Sequence, residues 1–197
     1  MPAALNAIFH KFPHAKARIK DNLPIQAKGH RDLLAEVYCD LGYTRGAEIG
    51  TRRGRYAKIL CDKNPFLKLY CIDPWNDYVE KYPQARQDLI YQEALEALKG
   101  CNVEIIRKTS MDALADIEDR SLDFVFIDGN HEFDYVAPDI VFWSKKVKHG
   151  GIVSVHDYYH FHLSGVMEAV DAYTKCHRID PWFTTKNLEP TAFWINP

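Results

Sequence analysis

Five short segments of this 197-residue chain place acids, glycines, hydroxyls or histidines where an apolar run stops. Glu48-Ile49-Gly50-Thr51-Arg52-Arg53-Gly54 is the first and Asp73-Pro74-Trp75 the second. Thr109-Ser110-Met111-Asp112, Asp128-Gly129-Asn130-His131 and His156-Asp157-Tyr158 complete the set. Two glycines four apart let backbone approach a ligand without a Cβ in the way. A dinucleotide site needs G-x-G-x-x-G, whose amides gather round a pyrophosphate. Here the pattern is Gly50-x-x-x-Gly54, with Glu48 two residues ahead. That carboxylate repels a pyrophosphate and attracts an amine or sulfonium cation. Asp73 follows Gly50 by 23 residues, where an acid commonly takes both ribose hydroxyls. A nucleoside with a positively charged tail therefore fits better than a dinucleotide. Among the later segments, His131 and His156 are candidate general bases, because imidazole titrates near neutral pH. Asp128, His156 and Asp157 are a candidate ligand set for a divalent metal. His156, His160 and His162 form an H-x3-H-x-H cluster that is either a second ligand source or loop polarity.

The elements that must position these residues follow from hydrophobic periodicity. Ala47–Ile49, Leu67–Ile72, Val103–Ile106, Leu122–Ile127 and Ile152–Val155 read as buried strands. Between them lie helical patterns at Arg55–Cys61, Gln84–Leu98, Asp112–Ile117 and Val136–Val147, the last stopped by His149-Gly150-Gly151. On the Gln84–Leu98 helix the apolar side is Leu89, Ile90, Ala94, Leu95 and Leu98. A helix at Ser164–Cys176 precedes two final strands, Trp182–Thr185 and Thr191–Ile195, which a short loop forces to be antiparallel. Alternation of strands and helices predicts a doubly wound, mostly parallel, seven-stranded α/β sheet ending in an antiparallel hairpin. In such a sheet ligands sit at the carboxyl ends of the strands, where the five polar segments lie. Residues 1–45 lack strand-like runs and read as an N-terminal helical extension, with a packed helix over Arg31–Leu41. Lys11, Lys16, Arg18 and Lys20 precede the first acid, Asp21, and read as a solvated helical face. Residues 46–197 read as one compact unit.

Composition narrows the function class. A net charge of −2 argues against a dedicated nucleic-acid binder, which usually shows a basic excess on one face. The five cysteines are odd in number and irregularly spaced, so a reducing cytoplasm is expected rather than a disulfide framework. No apolar stretch is long enough to span a bilayer, and Asn6, His10 and Lys11 interrupt any signal-peptide core. Aromatic residues reach 13%, a surplus expected to wall a pocket around Trp75, Tyr78 and Tyr158. The segment from Trp75 to Tyr82, the loop from Tyr158 to His162 and the N-terminal helix are the expected substrate wall. Asp139 and Trp143 read as packing or capping residues.

The successive segments, with Gly150-Gly151-Ile152-Val153-Ser154-Val155-His156-Asp157-Tyr158, resemble the motifs of class I S-adenosylmethionine-dependent methyltransferases in order and spacing over residues 46–195. Within that class the chain is similar to the small-molecule O-methyltransferase-like group with an Asp-Gly-x-His motif. The resemblance implies S-adenosylmethionine as cofactor. Glu48 would lie near its ammonium, Gly50 and Thr51 against its methionine part, and Arg52 or Tyr56 on its carboxylate. Asp73 would bind the ribose, Pro74 and Trp75 the adenine, Ser110 and Met111 its edge and face, and Asp128 would lie near the sulfonium. Related metal-dependent enzymes hold a divalent ion between the later acids, but this chain has His156-Asp157 where they carry two acidic or amide oxygens. The expected activity is methyl transfer to a small hydroxylated acceptor such as a sugar or phenol. A nicotinamide-type oxidoreductase and a cofactor-binding module without catalysis are the alternatives. Homo-oligomerisation stays open.

Overall fold

The computed structural model of the chain describes residues 2–19, 22–76 and 83–197. Tyr78, the rest of the aromatic segment as far as Tyr82, and Lys20 lie outside the described residues. Helices α1 (Ala3–Lys11) and α2 (Pro13–Ala17) lead to strand β1 (Ile25–Ala27) and helix α3 (Asp32–Asp40). The body then runs β2 (Arg45–Ile49), α4 (Arg55–Lys63), β3 (Lys68–Ile72), α5 (Gln84–Ala97) and β4 (Val103–Ile106). A 3₁₀ turn at Asp112–Asp116 is followed by β5 (Leu122–Ile127), α6 (Phe133–Lys146), β6 (Val147–Val155) and α7 (Val166–Cys176). Strands β7 (Trp182–Thr185) and β8 (Ala192–Ile195) close the chain.

Among the described residues eight strands form one sheet in the order β1-β7-β8-β6-β5-β2-β3-β4. Strands β2 to β6 are parallel, and β8 lies antiparallel between β6 and β7. The strand order reverses between β2 and β5, so their carboxyl ends form the crevice expected to hold a ligand. The predicted count of seven strands is corrected by one. Ile25–Ala27 pairs in parallel with Phe183–Thr185 at the sheet edge. With three residues, of which only Ile25 and Ala27 are buried, it carries too little periodicity to be read from sequence.

The doubly wound expectation holds, and side-chain alternation divides the core between the two faces of the sheet. Phe124 and Phe126 on β5 point into one cluster with α3, α4 and the N-terminal helices; Val125 and Ile127 point into the other with α6 and α7. The N-terminal segment packs intimately on the first face: Phe9 lies 6.3 Å edge-on to Phe183, and Phe12 lies 5.6 Å from Phe193. Tyr38 stacks 4.0 Å from Phe124, with its hydroxyl 2.9 Å from Ser154 Oγ. Lys11 of the expected solvated face pairs instead with Glu36 and Asp40.

Two local readings change. The Gly150-Gly151 pair does not stop a helix: α6 ends at Lys146, and Val147 already pairs with Leu122 across an irregular register. The side-chain amide of Asn196 donates to the carbonyls of Ser144 (3.1 Å) and Val147 (2.9 Å), capping the helix from the chain's far end. On α5, Ile90 and Ala94 are buried as expected, but Leu89 and Leu95 face solvent. That helix covers the sheet margin, so a narrow stripe is enough.

Candidate active site

The first turn is built by close backbone approach. Gly50 has φ +90°, and a Cβ there would lie 2.1 Å from the carbonyl oxygen of Asp128. Only glycine lets the β2 loop rest on the end of β5 in this way. Three other strand-end residues, Arg52, Trp75 and Asp157, also sit at positive φ (50°, 42° and 58°). Non-glycine residues in that region carry strain, which tends to gather at functional sites. The Asp73 carboxylate fixes the loop by accepting from the amides of Arg52 and Trp75, both at 2.9 Å.

Trp75 departs from its expected place. Its indole is buried against Tyr91 and donates from Nε1 to the Arg52 carbonyl at 2.8 Å. It therefore braces the glycine loop and does not wall an open pocket. Tyr56 is likewise buried, and its hydroxyl donates to the Arg31 carbonyl at 3.0 Å, which leaves exposed Arg52 as the candidate for an anionic tail. Tyr158 turns aside, donating to Asp171 at 2.7 Å and lining a surface cavity of about 520 Å³ with Leu23, Pro24 and Trp182. Among the described residues the aromatic side chains thus serve mainly the core.

Glu48 is buried behind the loop, and its Oε2 has no hydrogen-bond partner. Burial pushes its pKa up to about 8, with Thr51 pulling the other way and Asp128 adding to the rise. Asp73 is also raised by burial, against its two amide bonds. Ser110 and Met111 are half-buried beyond β4, and Ser110 interacts with Asp139. Asp139, buried on α6 with its Oδ1 unpartnered, is pushed by desolvation up to about 6; Trp143 is buried in the core one turn later.

At the ends of β5 and β6 the expected acids and histidines converge. His131 Nε2 lies 2.9 Å from Asp157 Oδ2 and 3.7 Å from Asp128 Oδ1. His156 Nδ1 lies 3.1 Å from Asp157 Oδ1 and 3.4 Å from Asp128 Oδ1. None of these nitrogens is in hydrogen-bond geometry. Burial lowers both imidazole pKa values, but the two carboxylates outweigh it and raise His131 to about 9 and His156 to about 8. Neither titrates near neutrality as expected for a free imidazole. Burial works to raise the pKa of Asp128 and Asp157, but the histidines prevail and hold both below the usual carboxylate range. The His131 ring is partly exposed although its Nε2 is buried, whereas His156 is buried altogether.

One site residue had no signal in the sequence. Arg31, from the N-terminal segment, donates from Nη1 to Asp128 Oδ2 at 3.2 Å across 97 residues of chain. Its guanidinium lies 4.8 Å above the Tyr56 ring and 5.8 Å from Phe126. A lone arginine between His30 and Asp32 has no motif, and only the fold brings it to Asp128.

Metal donor atoms lie within 4.8 Å of one another in two sets, Asp128-His131-Asp157 and His156-Asp157-Glu189. The expected set of Asp128, His156 and Asp157 is therefore divided between them. His160 and His162 remain exposed and join neither among the described residues. All four oxygens of Asp128 and Asp157 face a nitrogen of Arg31, His131 or His156. A hard divalent ion needs such oxygens for itself, so this donor set does not fit one.

Among curated proteins, no sequence matches this chain. Solved structures with similar folds include the O-methyltransferase TomG from Streptomyces achromogenes, involved in tomaymycin synthesis and solved in complex with SAM. It is 18% identical with a TM-score of 0.62 over 97% of this chain and 90% of that one. The SAH-bound methyltransferase PaMTH1 of Podospora anserina is 15% identical with a TM-score of 0.59, over 98% of this chain and 88% of that one. At these identities the likeness is one of fold. A family model described as a methyltransferase domain matches residues 47–158, which span all five polar segments. The chain belongs to the methyltransferase-domain family.

Proposed function

We propose that the protein transfers a methyl group from S-adenosylmethionine to a hydroxyl of a small acceptor. The observation that carries this reading is Glu48: a buried carboxylate with an unpartnered oxygen beneath a glycine loop, in want of a cation. A dinucleotide pyrophosphate would only hold the buried Glu48 carboxyl in its neutral form, whereas an ammonium favours the ionised form that can pair with it. S-adenosylmethionine, when bound, supplies a methyl group on a sulfonium for direct displacement.

The chain's own residues then divide the work. Glu48 takes the ammonium, Gly50 and Thr51 the methionine backbone, and Arg52 its carboxylate through charge-assisted hydrogen bonds. Asp73 accepts from the ribose hydroxyls with the lone pairs its two amide partners leave free. Pro74, Ser110 and Met111 border the adenine, with Trp75 and Tyr56 bracing from behind. Asp128 faces the sulfonium. His131, the partly exposed imidazole, receives the acceptor's proton as its oxygen attacks, and His156 holds the two carboxylates in place. Because His131 is charged at neutral pH in the free protein, this step requires its neutral form and is favoured at higher pH. No step is routed through a hard divalent metal, since Arg31 and the histidines lie against the carboxylate oxygens it would need.

Residues 46–197 constitute the cofactor-binding unit, and residues 1–45 complete its acceptor side through Arg31. The near-neutral composition fits a small-molecule acceptor better than nucleic acid, and five free cysteines fit a reducing cytoplasm. Calorimetric titration with S-adenosylhomocysteine and, separately, with NAD tests the reading. Binding of the first and not the second is expected; the reverse would replace the proposed activity with a redox one.

A further inference from the structure

The β5–β6 side of the site holds a fixed cation, the Arg31 guanidinium, beside Asp128. Arg31 is fastened at both ends: its carbonyl accepts from the Tyr56 hydroxyl, and its guanidinium stacks over that same ring. Of the guanidinium's five N–H donors, one meets Asp128, and no other hydrogen-bond partner is seen for it among the described residues. Its side chain is 21% exposed, so the remaining donors are not sealed in the core.

We infer that Arg31 takes the electrostatic place of a divalent cation beside Asp128, so that the acceptor side of the site works with a charge supplied by the chain. The inference rests on the proposed reading of Asp128 and Asp157 as the acceptor side. Three observations support it. Asp128 Oδ2, one of the oxygens a metal would need, is bound to the guanidinium. The two imidazoles lie 2.9–3.7 Å from the other carboxylate oxygens. A dication at the Asp128-His131-Asp157 set would lie within a few ångströms of the guanidinium, where like charges repel strongly in a partly buried site. An arginine suits this position better than a lysine, because its planar fork can hold a carboxylate and still present N–H groups to an acceptor oxygen. As the acceptor loses its proton to His131, those groups stabilise the negative oxygen that attacks the methyl carbon. The carbon–sulfur electrons leave on the sulfur.

The test uses Mn²⁺ alone, followed by its paramagnetic resonance signal, on protein freed of metal by chelator. Wild type and Arg31→Lys are expected to leave the free-ion signal unchanged at submillimolar Mn²⁺. Arg31→Met, which frees Asp128, is expected to bind Mn²⁺ at least tenfold more tightly than wild type, and a further Asp128→Asn to abolish the gain. S-adenosylhomocysteine binding, measured on each protein, separates the possible failures. Loss of that binding in wild type would overturn the cofactor reading. Retention of it, with Mn²⁺ held equally by wild type and Arg31→Met, would overturn the role of Arg31 alone. Should Arg31→Met fail to fold, tight Mn²⁺ binding by wild type that Asp128→Asn removes would overturn the inference, and its absence would uphold it.

Discussion

Two pairs of carboxylates end neighbouring strands of this sheet, and their environments push them in opposite directions. Glu48 and Asp73, on the β2–β3 side, are raised by burial. Asp128 and Asp157, on the β5–β6 side, are lowered because Arg31, His131 and His156 surround them. The difference shows which half of the site brings its own counter-charge. On the β5–β6 side each carboxylate lies beside a cationic side chain of the chain itself. On the β2–β3 side no ion pair reaches Glu48 among the described residues, and the pull of Arg31 does not offset its burial. Groups whose surroundings drive their pKa values apart mark distinct roles within one site.

The largest effect that would break this contrast is on turnover. His131→Gln removes the partly exposed base while keeping a polar side chain, and the initial rate of methyl transfer to a panel of phenols should fall about 10²- to 10⁴-fold. A rate within threefold of wild type would take His131 out of the mechanism. Next comes the cofactor side. Asp73→Ala should weaken S-adenosylhomocysteine binding by about 1.5–3 kcal/mol, the range for hydrogen bonds to a charged group, read by calorimetry. Unaltered affinity would remove Asp73 from the ribose.

The smallest effect concerns pH, where the two halves add. The folded pKa values of His131, about 9, and His156, about 8, exceed the ordinary imidazole value of 6.5. The stability they contribute is therefore full below about pH 6.5 and lost as pH rises through 8 to 9. Glu48, raised from 4.5 to about 8, has the same sign: the buried carboxyl keeps its proton while the unfolded chain gives it up, so its contribution is lost from about pH 4.5 up to about 8. The melting temperature of the ligand-free protein should therefore fall between pH 6.5 and 9.5. Glu48→Gln keeps a neutral isostere and should fall less steeply, which apportions the decline between the two sides. Equal slopes for the two proteins would mean that Glu48 ionises without penalty.

The parallel body of the fold was legible in sequence. Val103–Ile106 and Leu122–Ile127 are strands with the expected bounds, because buried parallel strands are short, continuous apolar runs between polar turns. Strand β1 was not legible, since three residues give no pattern and their pairing with β7 spans most of the chain. The start of β6 was misread for a related reason. Gly150-Gly151 signals a break, but whether a helix or a strand continues beyond it depends on Leu122 and Asn196.

The candidate site divides in the same way. Residue types and spacing alone determined that Glu48, Gly50, Asp73, Asp128, His131, His156 and Asp157 end the strands of a parallel sheet, because chain direction and sheet topology put every such end on one edge. What those groups do to one another was decided only by tertiary structure. Packing turned Trp75 and Tyr56 inward as braces, set which carboxylates are paired and which are bare, and brought Arg31 across 97 residues onto Asp128. Charge interactions and desolvation act through ångström-scale distance and burial, and neither is written in sequence spacing.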